Sequence, residues 1–257
     1  MSTKNFPSVL VTGGAGLIGE AIVKQLVLKG IKVYSLDVVE CKHSSMHLNC
    51  DLADLDQLEY IKKFMENIKA PFAVIHCAGI DFKTTASLDS EINFLDIESP
   101  DNFLKVVNTN INMTYNLIFL SLPLMRRFQN GLFVFLGSMY GSLAPNKELY
   151  YDKDLSKYFM RKPFSYSISK STFPMFAKLI ASRYASDGIK AVNLELHAII
   201  DTLTADPRFL ANFSTLSPTR LTCRKEEVVE FVSQLVDSNF TYLNGCSISF
   251  DGGWSSI

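Results

Sequence analysis

Apolar and polar positions change period along the chain. Val9-Leu10-Val11 is a solid apolar run. Ile18, Ile22 and Leu26 then recur at helical spacing, and Gly30 follows where a helix can end. Lys32–Leu36 reads as the next strand, ending at Asp37, and Met46–Cys50 as a weaker third, ending at Asp51. Leu55–Asn67 reads as helix, Ala73–His76 as a fourth strand, and Asp81–Pro100 as polar loop. A long helix follows to about Arg127, then strand Leu132–Leu136. A second long helix covers about Ser165–Ser186 and leads into strand Ala191–Leu196; helix Glu226–Val236 and strand Ser247–Phe250 close the series. Strands alternating with helices predict an α/β fold, with a parallel sheet of about seven strands covered by helices on both faces. No repeat, low-complexity tract or linker interrupts the pattern, so residues 1–257 read as one domain.

Composition narrows the partners. With 257 residues, of which 47% are hydrophobic, the chain can bury a large core. Lys and Arg number 25 against 26 Asp and Glu, so no overall field attracts nucleic acid or a membrane surface. The N-terminus lacks the charged-then-apolar order of a secretion signal, and five cysteines suit reduced thiols, so a cytoplasmic location is expected. The uncharged stretch Ile111–Met125 is too short to span a bilayer and contains Asn112, Asn116 and Pro123; it reads as a buried interface helix.

TGGAGLIG, residues 12–19, stands between the first strand and the first helix. Phosphates bind where helix N-terminal amides point outward, and only glycine lets the backbone approach that closely. Gly13, Gly16 and Gly19, with Leu17 and Ile18 between the last two, are spaced to open such a helix. Asp37 lies 18 residues after Gly19, at the end of the next strand, where an acid receives adenosine ribose hydroxyls. These features predict a Rossmann-type, doubly wound domain. A carboxylate at 37 repels a 2′-phosphate, and the glycine turn carries no Arg or Lys, so NAD is expected over NADP.

In YSISK, residues 166–170, Tyr166 and Lys170 stand one helical turn apart and share a face. An ammonium beside a phenol favours the phenolate, which makes a general acid/base for moving a proton between a carbonyl and an alcohol. Together with TGGAGLIG, Asp51-Leu52, Cys77-Ala78-Gly79, Asn110, Ser138, Asn244-Gly245 and DGGW at 251–254, this pair resembles the short-chain dehydrogenase/reductase family over nearly the whole chain. The resemblance implies hydride transfer between nicotinamide and a secondary alcohol or ketone. Tyr166 would handle the proton and Ser138 the substrate oxygen; Lys170 would hold the nicotinamide ribose and tune Tyr166, and Asn110 would position a relay water. Asp51 and the Leu52 backbone would meet adenine, Cys77-Ala78-Gly79 would line the cofactor, and Ile200 and Thr202 would contact the carboxamide. It also implies a homodimer or homotetramer built on the two long helices.

Several residues depart from the family pattern. Leu17 gives the glycine turn the spacing of the longer, nucleotide-sugar branch, while the chain length and DGGW belong to the short branch. GSMYGSLAP at 137–145 also resembles nucleotide-sugar enzymes, and the mixture is closest to oxidoreductases of bacterial flagellin and surface-glycan modification. Cys77 replaces an asparagine, and His197-Ala198 replaces Pro-Gly. Histidine at 197 reads as a replaced proline rather than a catalyst. If the loop needs a positive φ at 198, alanine costs on the order of 1 kcal/mol. Pro174 removes the hydrogen bond to the Lys170 carbonyl, which predicts a kink or local unwinding. Cys41, His43, His47 and Cys50 have unusual spacing for zinc, and no metal is expected.

Ser138 and Tyr166 are 28 residues apart, and the insert near 143–163 is tied at both ends to this pair. It holds Lys147, Lys153, Lys157, Arg161 and Lys162 against Glu148, Asp152 and Asp154, with Tyr150, Tyr151, Tyr158 and Phe159. This composition suits a cap over an anionic glycosyl substrate, a sugar or nucleotide-sugar, but equally a solvated surface loop. The other readings are a reductase of small or 3-oxoacyl ketones, and a cofactor-binding protein with impaired catalysis.

Overall fold

The computed structural model describes residues 5–81, 99–200 and 205–257. Seven parallel strands form the main sheet: β1 (Ser8–Thr12), β2 (Lys32–Asp37), β3 (Met46–Asn49), β4 (Phe72–His76), β5 (Gly131–Leu136), β8 (Ile189–Leu196) and β9 (Cys246–Phe250). Their order is β3-β2-β1-β4-β5-β8-β9, and a two-residue hairpin, β6 (Tyr151–Asp152) with β7 (Lys157–Tyr158), lies apart. The chain adds strands outward from β1 in one direction and then, from β4, in the other. That switch opens a crevice at the C-terminal ends of β1 and β4, where doubly wound sheets take ligands.

The apolar runs have the length of strands because both sheet faces are covered. α2 (Leu58–Met65), α3 (Pro100–Phe128) and α5 (Thr172–Tyr184) close one face, with Ile61, Met65, Leu117, Phe173, Ala177 and Ile180 packed in one core cluster with the strand residues Leu10, Val74 and Phe133. α1 (Leu17–Leu28) and α7 (Lys225–Asp237) close the other, with Ile22, Val23, Leu26, Val228 and Val232 packed beside Val9, Val11 and Ile75.

Three expectations need correction. Leu55–Gln57 is a 3₁₀ turn, so the helix expected over 55–67 is shortened to α2. The helix expected over 165–186 is two: α4 (Phe164–Lys170) and α5, interrupted at Ser171. The interruption falls where Pro174 lacks the N–H that would bind the Lys170 carbonyl, as its position required. A further helix, α6 (Pro207–Leu216), was not anticipated, although Asp206 caps it through the Arg208 N–H and Pro207 occupies its first turn. Most of the polar loop expected over 81–100, and Thr202, lie outside the described residues.

The insert is not a solvated loop throughout. Leu149 and Tyr150 form a satellite core with Phe213 of α6, and Met160, Phe209, Leu216 and Trp254 pack around it. Asn212 donates to the carbonyls of Leu149 and Tyr151, and Arg208 pairs with Asp152 at 3.1 Å and Asp206 at 2.7 Å. Of the four insert aromatics, Tyr150 and Phe159 are buried, and Tyr151 meets Tyr158 edge-on at 5.1 Å.

Candidate active site

The glycine turn is built for close backbone approach. Gly13 has φ +68°, and a Cβ there would stand 2.7 Å from the Ala78 nitrogen; one on Gly19 would stand 2.0 Å from the Gly13 carbonyl oxygen. No side chain caps α1 at Gly16, so its N-terminal amides remain available to an anion. At the end of β2, Asp37 accepts from the Ala15 N–H at 2.9 Å and the Val39 N–H at 3.1 Å, which fixes its carboxylate beside the turn. Gly16 and Leu17 are exposed, Ile18 is half-buried, and Asp51, exposed, accepts from the Ala53 N–H. Leu52 is buried, and its carbonyl accepts from Asn116 Nδ2. An open helix N-terminus, a cradle that side chains would fill and a neighbouring carboxylate fit a dinucleotide.

Cys77 and Ala78 follow β4 beside this turn. The Cys77 N–H donates to the Thr12 carbonyl and the Ala78 N–H to Thr12 Oγ1. Burial pushes the Cys77 thiol up to about 12, so it is a neutral space-filler rather than a thiolate.

Ser138, Tyr166 and Lys170 converge beyond β5. Ser138 accepts from the Tyr140 N–H as the cap of a 3₁₀ turn over Met139–Gly141, and its side chain lies close enough to Tyr166 to favour the phenolate. Lys170 donates to the Leu136 carbonyl at 3.0 Å, and burial lowers its ammonium to about 8. A Cβ on Gly79 would stand 3.7 Å from both Lys170 Nζ and Asn110 Oδ1, so these groups share one space. Burial raises the Tyr166 phenol above its ordinary value, against the opposing pull of Lys162 and of Ser138. In the chain alone, desolvation outweighs the nearby charges.

Asn110 is a clamp. Its Oδ1 accepts from the Ile80 N–H at 2.8 Å, and its Nδ2 donates to the Ile80 carbonyl and to Ser169 Oγ, both at 3.0 Å. Both amide protons are engaged, which leaves one Oδ1 lone pair for a relay water.

His76, which sequence reasoning left as a strand residue, joins the two parts of the site. Thr12 Oγ1 lies 2.7 Å from His76 Nδ1, and His76 Nε2 lies 2.8 Å from Thr114 Oγ1. Thr114 donates to the Asn110 carbonyl, so Nε2 must be the donor and Nδ1 the acceptor. Burial lowers His76 to about 3, which keeps the ring neutral. Its signal in the sequence was a polar residue ending an apolar strand.

His197 is buried at the end of β8, with ring centroids 4.7 Å from Trp254, 5.1 Å from Phe213 and 5.7 Å from Tyr140. Its Nε2 has no hydrogen-bond partner, and burial lowers it to about 4. Ala198 has φ +48°, so the loop does require the left-handed conformation that glycine would take without strain. Ile200 is half-buried beyond it. Among the described residues, no cluster of His, Cys, Asp and Glu could hold a metal ion, and no helix is long and apolar enough to cross a membrane.

The sequence profile of the NAD dependent epimerase/dehydratase family matches residues 9–200. Two relatives are a tropinone reductase homologue of Arabidopsis thaliana, 24% identical over 96% of this chain and 92% of that one, and a 3-oxoacyl-(acyl-carrier-protein) reductase of Mycobacterium tuberculosis, 26% identical over the same shares. A short-chain dehydrogenase from Leptospira borgpetersenii, solved with bound NAD+, superposes with a TM-score of 0.82 at 24% identity, covering 99% of this chain and 97% of that one. With the glycine turn, the Ser138–Tyr166 pair and Lys170 in one crevice, the chain belongs to the NAD dependent epimerase/dehydratase family and is an oxidoreductase of the short-chain dehydrogenase/reductase kind.

Proposed function

We propose that this protein uses NAD in preference to NADP to interconvert a secondary alcohol and a ketone on a sugar or nucleotide-sugar, as in surface-glycan biosynthesis. The observation that carries the chemistry is the gathering of Ser138, Tyr166 and Lys170 beyond β5, beside the segment that packs on the glycine turn. The bound nicotinamide supplies the hydride acceptor or donor. Gly13, Gly16 and Gly19 admit its pyrophosphate to the open end of α1, and Asp37 disfavours a 2′-phosphate. Ser138 holds the substrate oxygen. Tyr166 gives or takes the proton at Oη, and its raised phenol makes it a proton donor in the chain alone, ready for ketone reduction. Asn110 and Lys170 fix the surrounding backbone through Ile80 and Leu136. The nucleotide-sugar reading draws support from the epimerase-type glycine spacing and from the exposed Lys147, Lys153, Lys157 and Arg161 on the insert.

A homodimer or homotetramer is part of this proposal. Tyr115 and Phe119 of α3 and Met175 and Leu179 of α5 are exposed, and the half-buried Leu122 and Phe176 line a groove between these helices. A second copy would cover it. Free thiols at all five cysteines accord with a reducing compartment such as the cytoplasm.

The curated relatives favour a second reading, a reductase of small or acyl ketones. The test is NADH oxidation, and NAD reduction in reverse, with sugar nucleotides, free keto-sugars, and small and 3-oxoacyl ketones. Turnover confined to the sugar substrates supports the proposal. Turnover confined to the others replaces it, and NADH binding without turnover on any of them points to impaired catalysis.

A further inference from the structure

Lys162 stands four residues before Tyr166, as Lys170 stands four after it. Its ammonium lies 4.3 Å from the centroid of the Tyr166 ring and is ion-paired with Asp81 Oδ2. Both partners are withdrawn from solvent, with side-chain exposures of 23% and 18%. Asp81 follows β4, while Lys162 ends the insert, so the pair ties two segments together across the face of the acid/base residue. Asp81 Oδ1 is buried without a hydrogen-bond partner. A carboxylate half-satisfied in this way is costly unless its position serves the site.

We propose that Lys162, held against Tyr166 by Asp81, is a positioning residue that sets how readily the Tyr166 phenol releases its proton. The inference rests on the reading of Tyr166 as the acid/base residue. A cation over an aromatic face is attracted to the ring, and more strongly to the electron-rich ring of a phenolate, so Lys162 favours the ionised form. Asp81 opposes it. The other groups facing Tyr166 are Ser138 and Tyr140 from the turn after β5 and Tyr150 from the insert, while Lys170 of α4 is turned to the Leu136 carbonyl. None of these forms a charged pair with Lys162. The two partners therefore act on Tyr166 with opposite sign while depending on each other for position.

The test separates charge from mere packing. A trifluorotyrosine at position 166, which ionises at lower pH than tyrosine, is titrated by fluorine NMR in the NAD-loaded protein; this reads one residue and needs no turnover. Lys162→Gln is expected to raise the midpoint by about one pH unit, and Asp81→Asn, which removes the opposing charge but also loosens Lys162, to move it by less than Lys162→Gln does. Lys162→Arg keeps the charge and stays near wild type, and Lys162→Met, which keeps the aliphatic stem, follows Lys162→Gln and serves if the latter folds poorly. With tyrosine at 166, the pH dependence of kcat/KM moves in the same directions. No shift in Lys162→Gln, a shift in Asp81→Asn as large as that in Lys162→Gln, or an Arg variant that behaves like Gln would overturn the proposal. Failure of the underlying reading is distinct: Tyr166→Phe would then retain turnover, whatever the fluorine titrations show.

Discussion

The two sides of the crevice are made of different material. On the β1–β2 side the site is mostly backbone: the Gly13 and Gly19 turn, the uncapped start of α1, and one carboxylate, Asp37, held by two N–H groups. On the β5–β8 side it is side chains: Ser138, Tyr166 and Lys170, braced by Lys162–Asp81 and roofed by the satellite core of Tyr150, Phe213 and Trp254. A backbone site leaves little freedom, because any added atom collides. A side-chain site can be retuned one residue at a time. Changes on the first side should therefore act on cofactor affinity, and changes on the second on chemistry and stability.

Removing the phenol in Tyr166→Phe is the sharpest probe of that division. It should lower kcat by about a hundredfold to ten-thousandfold while NADH affinity, measured by fluorescence titration, stays within about twofold. A parallel loss of NADH binding would erase the contrast.

Next in size is the acid sensitivity of the substrate side. His197 has its folded pKa lowered to about 4, so between there and its ordinary value of 6.5 the unfolded chain binds a proton that the native chain refuses. Stability is full above that window and is lost as pH falls through it, by about 2 kcal/mol at pH 5 from this residue. His197→Phe, which keeps an aromatic ring among Tyr140, Phe213 and Trp254, should remove that part of the loss in denaturant melts at pH 7 and pH 5. An unchanged difference between the two pH values would show that His197 titrates freely.

On the cofactor side, Asp37→Ala should narrow the NADH-over-NADPH preference by about tenfold, an effect of about 1.4 kcal/mol. Equal affinities in the unaltered protein would remove the role given to this carboxylate. The smallest effect belongs to Ala198→Gly. Relief of the positive φ should stabilise the protein by up to about 1 kcal/mol, a rise of about 2 °C in Tm for a chain of this size. A fall in Tm would mean that alanine's lower chain entropy outweighs the strain.

The same division explains what the sequence disclosed. The glycine turn, Asp37 and the Tyr166/Lys170 pair were legible because each is a local pattern, set by helix or strand spacing. The interruption near Ser171 followed from the missing N–H of Pro174. α6 announced itself with Asp206-Pro207, an N-cap followed by a first-turn proline, and was passed over because its apolar residues double as lining for the insert. The Asp81–Lys162 pair had no local signal: its members lie 81 residues apart and meet only when the segment after β4 comes beside the segment before α4. The insert's own pairing was hidden for a related reason. Its aromatic residues suggested a ligand surface, whereas Tyr150 and Phe159 bury themselves against α6 and its neighbours.

The polar chain from Ala78 through Thr12, His76 and Thr114 to the Asn110 carbonyl has one direction: every member donates onward or receives from behind. Its parts come from three separate stretches of sequence, and each proton has a single place to go. Positions 12, 76 and 114 therefore share one inheritance. A lineage that replaced His76 by leucine would leave the Thr12 hydroxyl proton without its acceptor and Thr114 Oγ1 without its donor. A lineage that replaced it by a residue with both a donor and an acceptor, such as glutamine, could pass the message on. Drift at these positions should occur in concert, while the exposed cations of the insert remain free to vary with whatever substrate a descendant meets.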